Sequence, residues 1–293
     1  MQAIARAAGG LTAAEENWLG SHVPAGASVL NLGCGAGREA SALSRRGCRV
    51  VAVDSAWPVL LAAGRGHAGP CRPTWLLADA QHLPFGASAR FEVALLIDQF
   101  IEHFPARETR VGLLRAVSRR LRAGGLMLLT THNRLWDPGI ARVVYALYRR
   151  WLSRPPRGAA ARGLPSPARG PRRSGDARAR PAPLWPRLHA YAWVRCQSAG
   201  RLLARTFRRE GSDAADHELE PGSFWLSQVS PARSPGLIAF HPYRGAELAT
   251  EAKQAGLSVV SCHDAIELAT GRPHPRWLRG GAPLLYWVLR REA

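Results

Sequence analysis

Three glycines at every second position, Gly33, Gly35 and Gly37 in the stretch SVLNLGCGAGREA (Ser28–Ala40), follow directly on apolar β-formers and precede a helical pattern. A strand that turns into a helix through such a loop constrains the fold more than any other part of the chain. Glycine tolerates positive φ and lets a ligand lie against the main chain. The helix N-terminus adds unpaired N–H groups and a partial positive charge. The loop is therefore expected to cradle a ligand, and its spacing narrows the choice. A dinucleotide fingerprint counted from Gly33 requires glycine where the chain has Arg38, and no G-x-x-x-x-G-K-[ST] phosphate loop occurs. A second strand, VVAVD, ends at Asp54, 21 residues beyond Gly33, where a carboxylate can accept both hydroxyls of a ribose. A nucleoside with no required pyrophosphate fits both features.

Up to about residue 132, short apolar runs alternate with helical stretches, the pattern of a parallel sheet covered by helices. Strands are expected at Ser28–Leu32, Arg49–Asp54, Trp75–Leu77, Phe91–Ile97 and Leu126–Thr131. The clearest helix is Thr109–Leu121, where Val111, Leu114, Val117 and Leu121 recur at helical spacing. The glycines of RAGG (Arg122–Gly125) are expected to stop it. From Arg149 to Arg187 the chain is dense in Arg, Pro, Ala and Gly, with eleven arginines against the single Asp176. Ser153–Pro186 reads as an irregular insertion, flanked by amphipathic helices at Ile140–Trp151 and Tyr191–Arg209. Regular α/β character resumes near Tyr243, with a helix at Gly245–Ala255 and strands at Leu257–Cys262 and Leu284–Arg290. Three regions follow: a core over residues 1–135, an insertion over 136–235, and a completion of the core sheet over 236–293.

The formal charge of +19 invites a nucleic-acid or membrane-surface reading. Yet Lys253 is the only lysine, so 39 of the 40 basic residues are arginine, a ratio that points to GC-rich coding rather than to a polyanionic partner. The five cysteines are scattered, with no C-x-x-C pair, so neither a zinc site nor a disulfide framework is expected and a reducing, cytoplasmic location is. No window is apolar enough for a signal peptide or a membrane span.

Taken in order, VLNLGCGAGR, VVAVDSAWPVLLAA, LLADAQHLPF, FEVALLIDQFIEHF and LLRAVSRRLRAGGLMLLT resemble the class I S-adenosylmethionine-dependent methyltransferases, in particular the ubiquinone/menaquinone-biosynthesis group. The resemblance runs from about Glu15 to Thr131 and resumes over about Tyr243–Arg290. It implies a Rossmann-like seven-stranded α/β sheet of order 3-2-1-4-5-7-6, last strand antiparallel, with helices on both faces. It also implies S-adenosyl-L-methionine as cofactor and S-adenosyl-L-homocysteine as product. By that resemblance Gly33, Gly35 and Gly37 line the methionine moiety and Asp54 holds the ribose hydroxyls. Asp79 and the Ala80 backbone read the adenine edge, with Ser55 and Gln81 flanking the ring, and Asp98 sits by the methionine end. The group usually carries an acidic residue where this chain has Asn31, which still hydrogen-bonds but lacks the charge that attracts the cofactor's ammonium. Weaker binding is expected, and Asn31→Asp is expected to strengthen it.

Such an enzyme must align a nucleophile with the methyl–sulfur axis, and a general base contributes where that nucleophile carries a proton. His103, His132 and Asp98 are the candidates, with His241 and Tyr243 behind them, all on the rim where ligands of open α/β sheets bind. No metal-ligand cluster is visible. By the resemblance, residues 136–235, inserted after the fifth strand, form a lid over the acceptor pocket, in which Trp136, Tyr145, Trp185, Trp193, Phe224 and Trp225 offer an aromatic surface for a planar acceptor. The sequence favours a small-molecule acceptor, with O-, N- and C-methylation all open, and leaves the oligomeric state open. The alternatives are an RNA methyltransferase using the basic insertion, and a cofactor-binding inactive module. Against RNA, the [DN]-P-P-[YF] signature is absent, DQFI standing in its place, and the basic run lacks interleaved aromatics.

Overall fold

The computed structural model describes residues 10–66, 71–86, 88–134, 223–229, 235–271 and 282–292. All of these belong to one of the two units into which the chain divides, Met1–Val144 with Glu218–Ala293. The expected helices at Ile140–Trp151 and Tyr191–Arg209, the Arg/Pro-rich Ser153–Pro186, and Trp136, Tyr145, Trp185 and Trp193 lie outside the described residues.

The Gly33–Gly37 loop joins β1 (Ser28–Leu32) to α2 (Arg38–Arg45), with α1 (Ala13–His22) preceding them. Then come β2 (Arg49–Asp54), α3 (Trp57–Gly66), β3 (Thr74–Leu77) and β4 (Phe91–Leu96). A short 3-10 turn (Phe100–His103), α4 (Arg107–Ser118) and β5 (Leu121–His132) complete the first half. Beyond residue 222 follow β6 (Phe224–Val229), β7 (Pro235–Phe240), α5 (Gly245–Gln254), β8 (Leu257–Asp264), α6 (Ala265–Thr270) and β9 (Leu284–Arg291). The main sheet has the order β3-β2-β1-β4-β5-β9-β8, and β6 and β7 form a separate antiparallel pair. β9 runs antiparallel to both β5 and β8. Counted without the hairpin, the order is the expected 3-2-1-4-5-7-6.

β1 sits mid-sheet because its apolar side chains serve both faces: Val29, Leu30 and Leu32 are all buried. One face packs Leu30, Leu32, Leu96 and Leu129 with α4 and α5 residues such as Leu114 and Leu248. The other packs Val29, Val50 and Leu128 with Trp18, Leu43 and Leu60 from α1, α2 and α3. α1 opens on a capping box in which Thr12 Oγ1 accepts from the Glu15 N–H and Glu15 Oε2 accepts from the Thr12 N–H at 2.7 Å.

Two expectations need correction. The helix expected to reach Leu121 ends at Ser118, and RAGG lies inside β5 rather than at a helix end. Phe91 pairs with Leu121 and Val93 with Leu126, so Arg122–Gly125 bulges out of the β4–β5 ladder. Gly124 takes the left-handed conformation there, at φ 72°. A β-bulge and a helix C-cap both call for glycine at positive φ, which is why the sequence suggests the wrong one.

Candidate functional site

The register Asn31↔Ala52 and Asn31↔Leu95 sets β1 between β2 and β4, so the loops after all three strands meet at one rim. The three loop glycines take φ values of 61°, 52° and 81°, left-handed conformations that only glycine adopts readily. Their surroundings differ. A Cβ at Gly33 falls within 2.8 Å of three carbons of the Phe100 ring, and one at Gly37 within 2.8 Å of two carbons of the Trp75 ring, whereas Gly35 faces open space. Close approach by the protein's own rings accounts for the outer two glycines, and only Gly35 leaves room for a ligand against bare backbone. Gly33→Ala should combine left-handed strain with collision against Phe100 and lower unfolding stability by roughly 2–4 kcal/mol. A urea midpoint equal to that of the parent would contradict this.

Asp54 ends β2 facing the loop. Its Oδ2 accepts from the Gly35 N–H at 2.8 Å and its Oδ1 from the Ala56 N–H at 2.9 Å. The carboxylate thus ties the glycine loop to the start of α3, while the remaining lone pairs of each oxygen stay available for hydroxyl donors. Between these residues Cys34 is buried, and burial, with Asp54 and Glu39 nearby, pushes its thiol far above the ordinary range. It is no nucleophile.

A charged cluster that the sequence does not foretell lies on the other side of the loop. Arg38, the first residue of α2, donates from Nη1 and Nη2 to the two oxygens of Glu15, each at 2.8 Å. It also pairs with Glu39 and reaches Asp98 Oδ1 at 3.4 Å. Glu39 is buried, which raises its pKa, and Arg38 and Asp98 pull it in opposite directions. Three carboxyl groups thus surround one guanidinium. Asp98 and Gln99 both have positive φ, 55° and 58°, a strained pair for non-glycine residues and placed just after β4 at the rim. Asn31 is 2% exposed, and its side-chain Nδ2 is buried without a hydrogen-bond partner.

Beyond β3, the Ala78 N–H donates to the Asp54 carbonyl at 3.1 Å, which brings the Asp79 turn beside the β2 end. Asp79 Oδ1 accepts from the Gln81 N–H at 2.9 Å and Oδ2 lies 3.1 Å from His82 Nδ1, contacts that hold its pKa below the carboxylate norm. Ala80 is buried under this turn, while Ser55, Asp79 and Gln81 are exposed. The Asp79 turn thus lies beside the end of β2 that carries Asp54.

The histidine candidates fare differently. His103 is exposed, with its ring 4.7 Å from that of Phe240; desolvation, then the neighbouring His132, lowers its pKa. His241 is buried, with Nδ1 2.7 Å from Ser223 Oγ and Nε2 2.8 Å from Glu247 Oε1, the bonding of a structural histidine. Tyr243 is also buried and donates to Glu251 Oε2 at 2.7 Å. His132, at the end of β5, meets a fully buried partner that sequence reasoning missed: both Glu102 oxygens bond it, one at the backbone N–H and one at Nδ1, the latter at 2.6 Å. The signal available was a glutamate inside the apolar stretch FIEHF. Among the described residues, no group of three or more His, Cys, Asp or Glu is placed to hold a metal, and no helix is long and apolar enough to cross a membrane.

Residues 29–125 match the family model described as a methyltransferase domain. Over 113 residues the chain is 31% identical to a ubiquinone biosynthesis O-methyltransferase of Xanthomonas axonopodis pv. citri and 33% identical to a cypemycin N-terminal methyltransferase of a Streptomyces species. Each alignment covers 38% of this chain and 45% of the relative, so the chain spans just under half the length of these proteins. Among solved structures, an S-adenosylmethionine-dependent methyltransferase from Methanosarcina mazei superimposes with a TM-score of 0.54 at 14% identity, covering 94% of this chain and 97% of that one. The CcbJ methyltransferase from Streptomyces caelestis gives 0.53 at 17% identity, covering 96% and 95%. These likenesses carry the fold.

Proposed function

We propose that this chain, whose core is a class I S-adenosylmethionine-dependent methyltransferase domain, binds that cofactor at the Gly33–Gly37 rim and methylates a small-molecule acceptor. The observation that carries the reading is the pairing of bare backbone at Gly35 with the Asp54 carboxylate, 2.8 Å from its N–H and with lone pairs left for a ribose diol. The buried, unpartnered Asn31 Nδ2 is a second mark of fit, since a buried polar atom left unpaired by the protein is satisfied when a ligand brings an acceptor. The absence of the phosphate-binding spacing argues against a dinucleotide.

When bound, S-adenosylmethionine supplies a methyl group already activated by a positively charged sulfur. The residues of the chain have the tasks of gripping and aligning. Asp54 takes the ribose, and the Asp79–Gln81 turn, with Ser55 opposite, borders the adenine. Asp98, with Glu15 behind it, outweighs the single charge of Arg38 at the methionine end, which offsets the neutral Asn31 in attracting an ammonium. Asn31→Asp should still tighten S-adenosylhomocysteine binding, by about tenfold, because it adds a charge-assisted bond in a buried setting. Calorimetric titration returning equal or weaker affinity for Asn31→Asp would sink this point.

A small-molecule acceptor is favoured by the likeness to ubiquinone biosynthesis O-methyltransferases and by the missing [DN]-P-P-[YF] signature. Incubating the protein with methyl-labelled donor and a cell extract, then separating RNA from small molecules, tests the whole reading. Label in the small-molecule fraction is the expected result. Label confined to RNA supports the RNA alternative instead, and binding without any transfer supports an inactive module.

A further inference from the structure

We propose that a cleft of about 470 Å³, at the end of the sheet where β4 and β5 begin, is a second binding site, for a small molecule carrying two or more linked phosphate groups. Arg90, Arg119, Arg120 and Arg291 line it together with Gln81 and His82, and no carboxylate does.

The fold brings these arginines together from distant parts of the sequence. Arg90 immediately precedes β4, Arg119 and Arg120 lie between α4 and β5, and Arg291 is the last residue of β9, which runs antiparallel to β5. All four therefore gather where β4 and β5 begin, whereas Asp98 and His132 stand at the other ends of those strands. The Phe91 N–H donates to the Arg120 carbonyl at 2.7 Å, which fixes Arg90 and Arg120 on adjoining turns. Arg120 Nη1 donates to the Gly86 carbonyl at 2.7 Å, and Arg291 Nη1 donates to the Leu121 carbonyl. These neutral acceptors orient the guanidinium groups and leave their charge in place. Gln81 and His82 come from the segment that leads away from the Asp79 turn. Of the residues assigned to the cofactor, only Gln81 lines the cleft.

Charge balance sets these arginines apart from others in the fold. Arg38 pairs with Glu15, Arg110 with Glu251 and Arg122 with Glu92. Among the described residues, no carboxylate pairs with Arg119, Arg120 or Arg291. GC-rich coding explains why the basic residues are arginine and not lysine. It does not explain why four of them converge on one cleft without counter-charges. Like charges lining one cleft repel and focus a positive field there, which an anion relieves. Guanidinium groups take phosphate oxygens in bidentate pairs, and four of them match the spread oxygens of linked phosphates better than those of one phosphate. The volume falls within the roughly 300–1,000 Å³ of small-molecule sites, which favours a small ligand over a nucleic-acid strand.

The test is calorimetric titration of the full chain with inorganic pyrophosphate at physiological ionic strength. Pyrophosphate should bind about tenfold more tightly than orthophosphate, or better. Arg119→Gln, at an exposed residue, should weaken pyrophosphate about tenfold, and Arg119→Gln with Arg120→Gln about 100-fold, each lost charge-assisted contact contributing about a factor of ten. Arg45→Gln with Arg65→Gln removes the same charge from exposed residues outside the cleft and should leave affinity within about twofold. Saturating S-adenosylhomocysteine should not displace pyrophosphate, since neither Gly35 nor Asp54 lines the cleft. ATP distinguishes the two sources of the phosphates. Tighter binding than pyrophosphate identifies a nucleotide, equal or weaker binding a free oligophosphate, and either supports the site. If the double variant does not fold, Arg119→Gln alone decides. No binding, equal affinity for orthophosphate and pyrophosphate, or an equal loss in the Arg45 and Arg65 variant overturns the proposal. So does displacement by S-adenosylhomocysteine, or a short RNA that binds more tightly than pyrophosphate and is lost in the cleft variants.

Discussion

Asp54→Ala should weaken S-adenosylhomocysteine binding on the order of 100-fold, because a charge-assisted carboxylate bond contributes about 1.5–3 kcal/mol and the residue serves both ligand and loop. Its two oxygens take the N–H groups of Gly35 and Ala56. Removing them leaves the loop without the anchor that holds Gly35 toward the rim. The loss should therefore show in two ways, as weaker binding in calorimetry and as faster amide exchange at Gly35 and Ala56 in the free protein. Asp54→Asn keeps one acceptor oxygen and should restore part of the binding. Unchanged affinity in Asp54→Ala would mean that the ribose lies elsewhere, and the Gly35–Asp54 pairing would be only a structural tie.

The largest stability effect should come from the opposite side of the sheet. Arg110 and Glu251 are both fully buried and join α4 to α5 through Nη2–Oε1 at 2.7 Å and Nε–Oε2 at 3.2 Å. Arg110 Nη1 donates to the carbonyls of Pro105 and Phe104, its guanidinium lies 5.4 Å from the Tyr243 ring centroid, and the Tyr243 hydroxyl completes Glu251. Glu251→Gln leaves a buried guanidinium without its carboxylate and should cost about 3–5 kcal/mol of unfolding stability. Replacing both partners, Arg110→Met with Glu251→Leu, should recover most of that loss, since the desolvation cost disappears with the charges. Denaturant unfolding of the two variants measures this; a double variant less stable than Glu251→Gln would show that the pair is worth more than its removal. The network also bears on the site. The Tyr243 N–H donates to the His132 carbonyl and its own carbonyl accepts from the Arg134 N–H, so Tyr243 braces the end of β5 that carries His132.

The fold was legible because its signals are local and repeat. Apolar strands alternate with helical spacing, and Ser28–Leu32 and Arg49–Asp54 are strands over the residues where their β-branched and apolar runs place them. RAGG suggests a helix end rather than a bulge because left-handed glycine serves both, and nothing within Arg122–Gly125 distinguishes them. Asp54 could be found from its distance to Gly33, since both stand on neighbouring strand ends. Glu102 could not. Its pairing with His132 depends on a turn that brings it to a residue 30 positions later, and the sequence offers only a carboxylate in an apolar run. The Arg38–Glu15 pair, 23 positions apart, was hidden for the same reason. The glycines show the converse, because the spacing announced a close approach but could not say that Phe100 and Trp75, rather than a ligand, fill two of the three places.

A crystal structure of the chain grown with S-adenosylhomocysteine tests the central claim most directly. The account predicts the nucleoside lying over Gly35, both ribose hydroxyls within hydrogen-bonding distance of the Asp54 carboxylate, and the amino-acid end beside Asn31 and Asp98. A ligand bound away from that rim, or a diphosphate-bearing nucleotide displacing it there, would contradict the account.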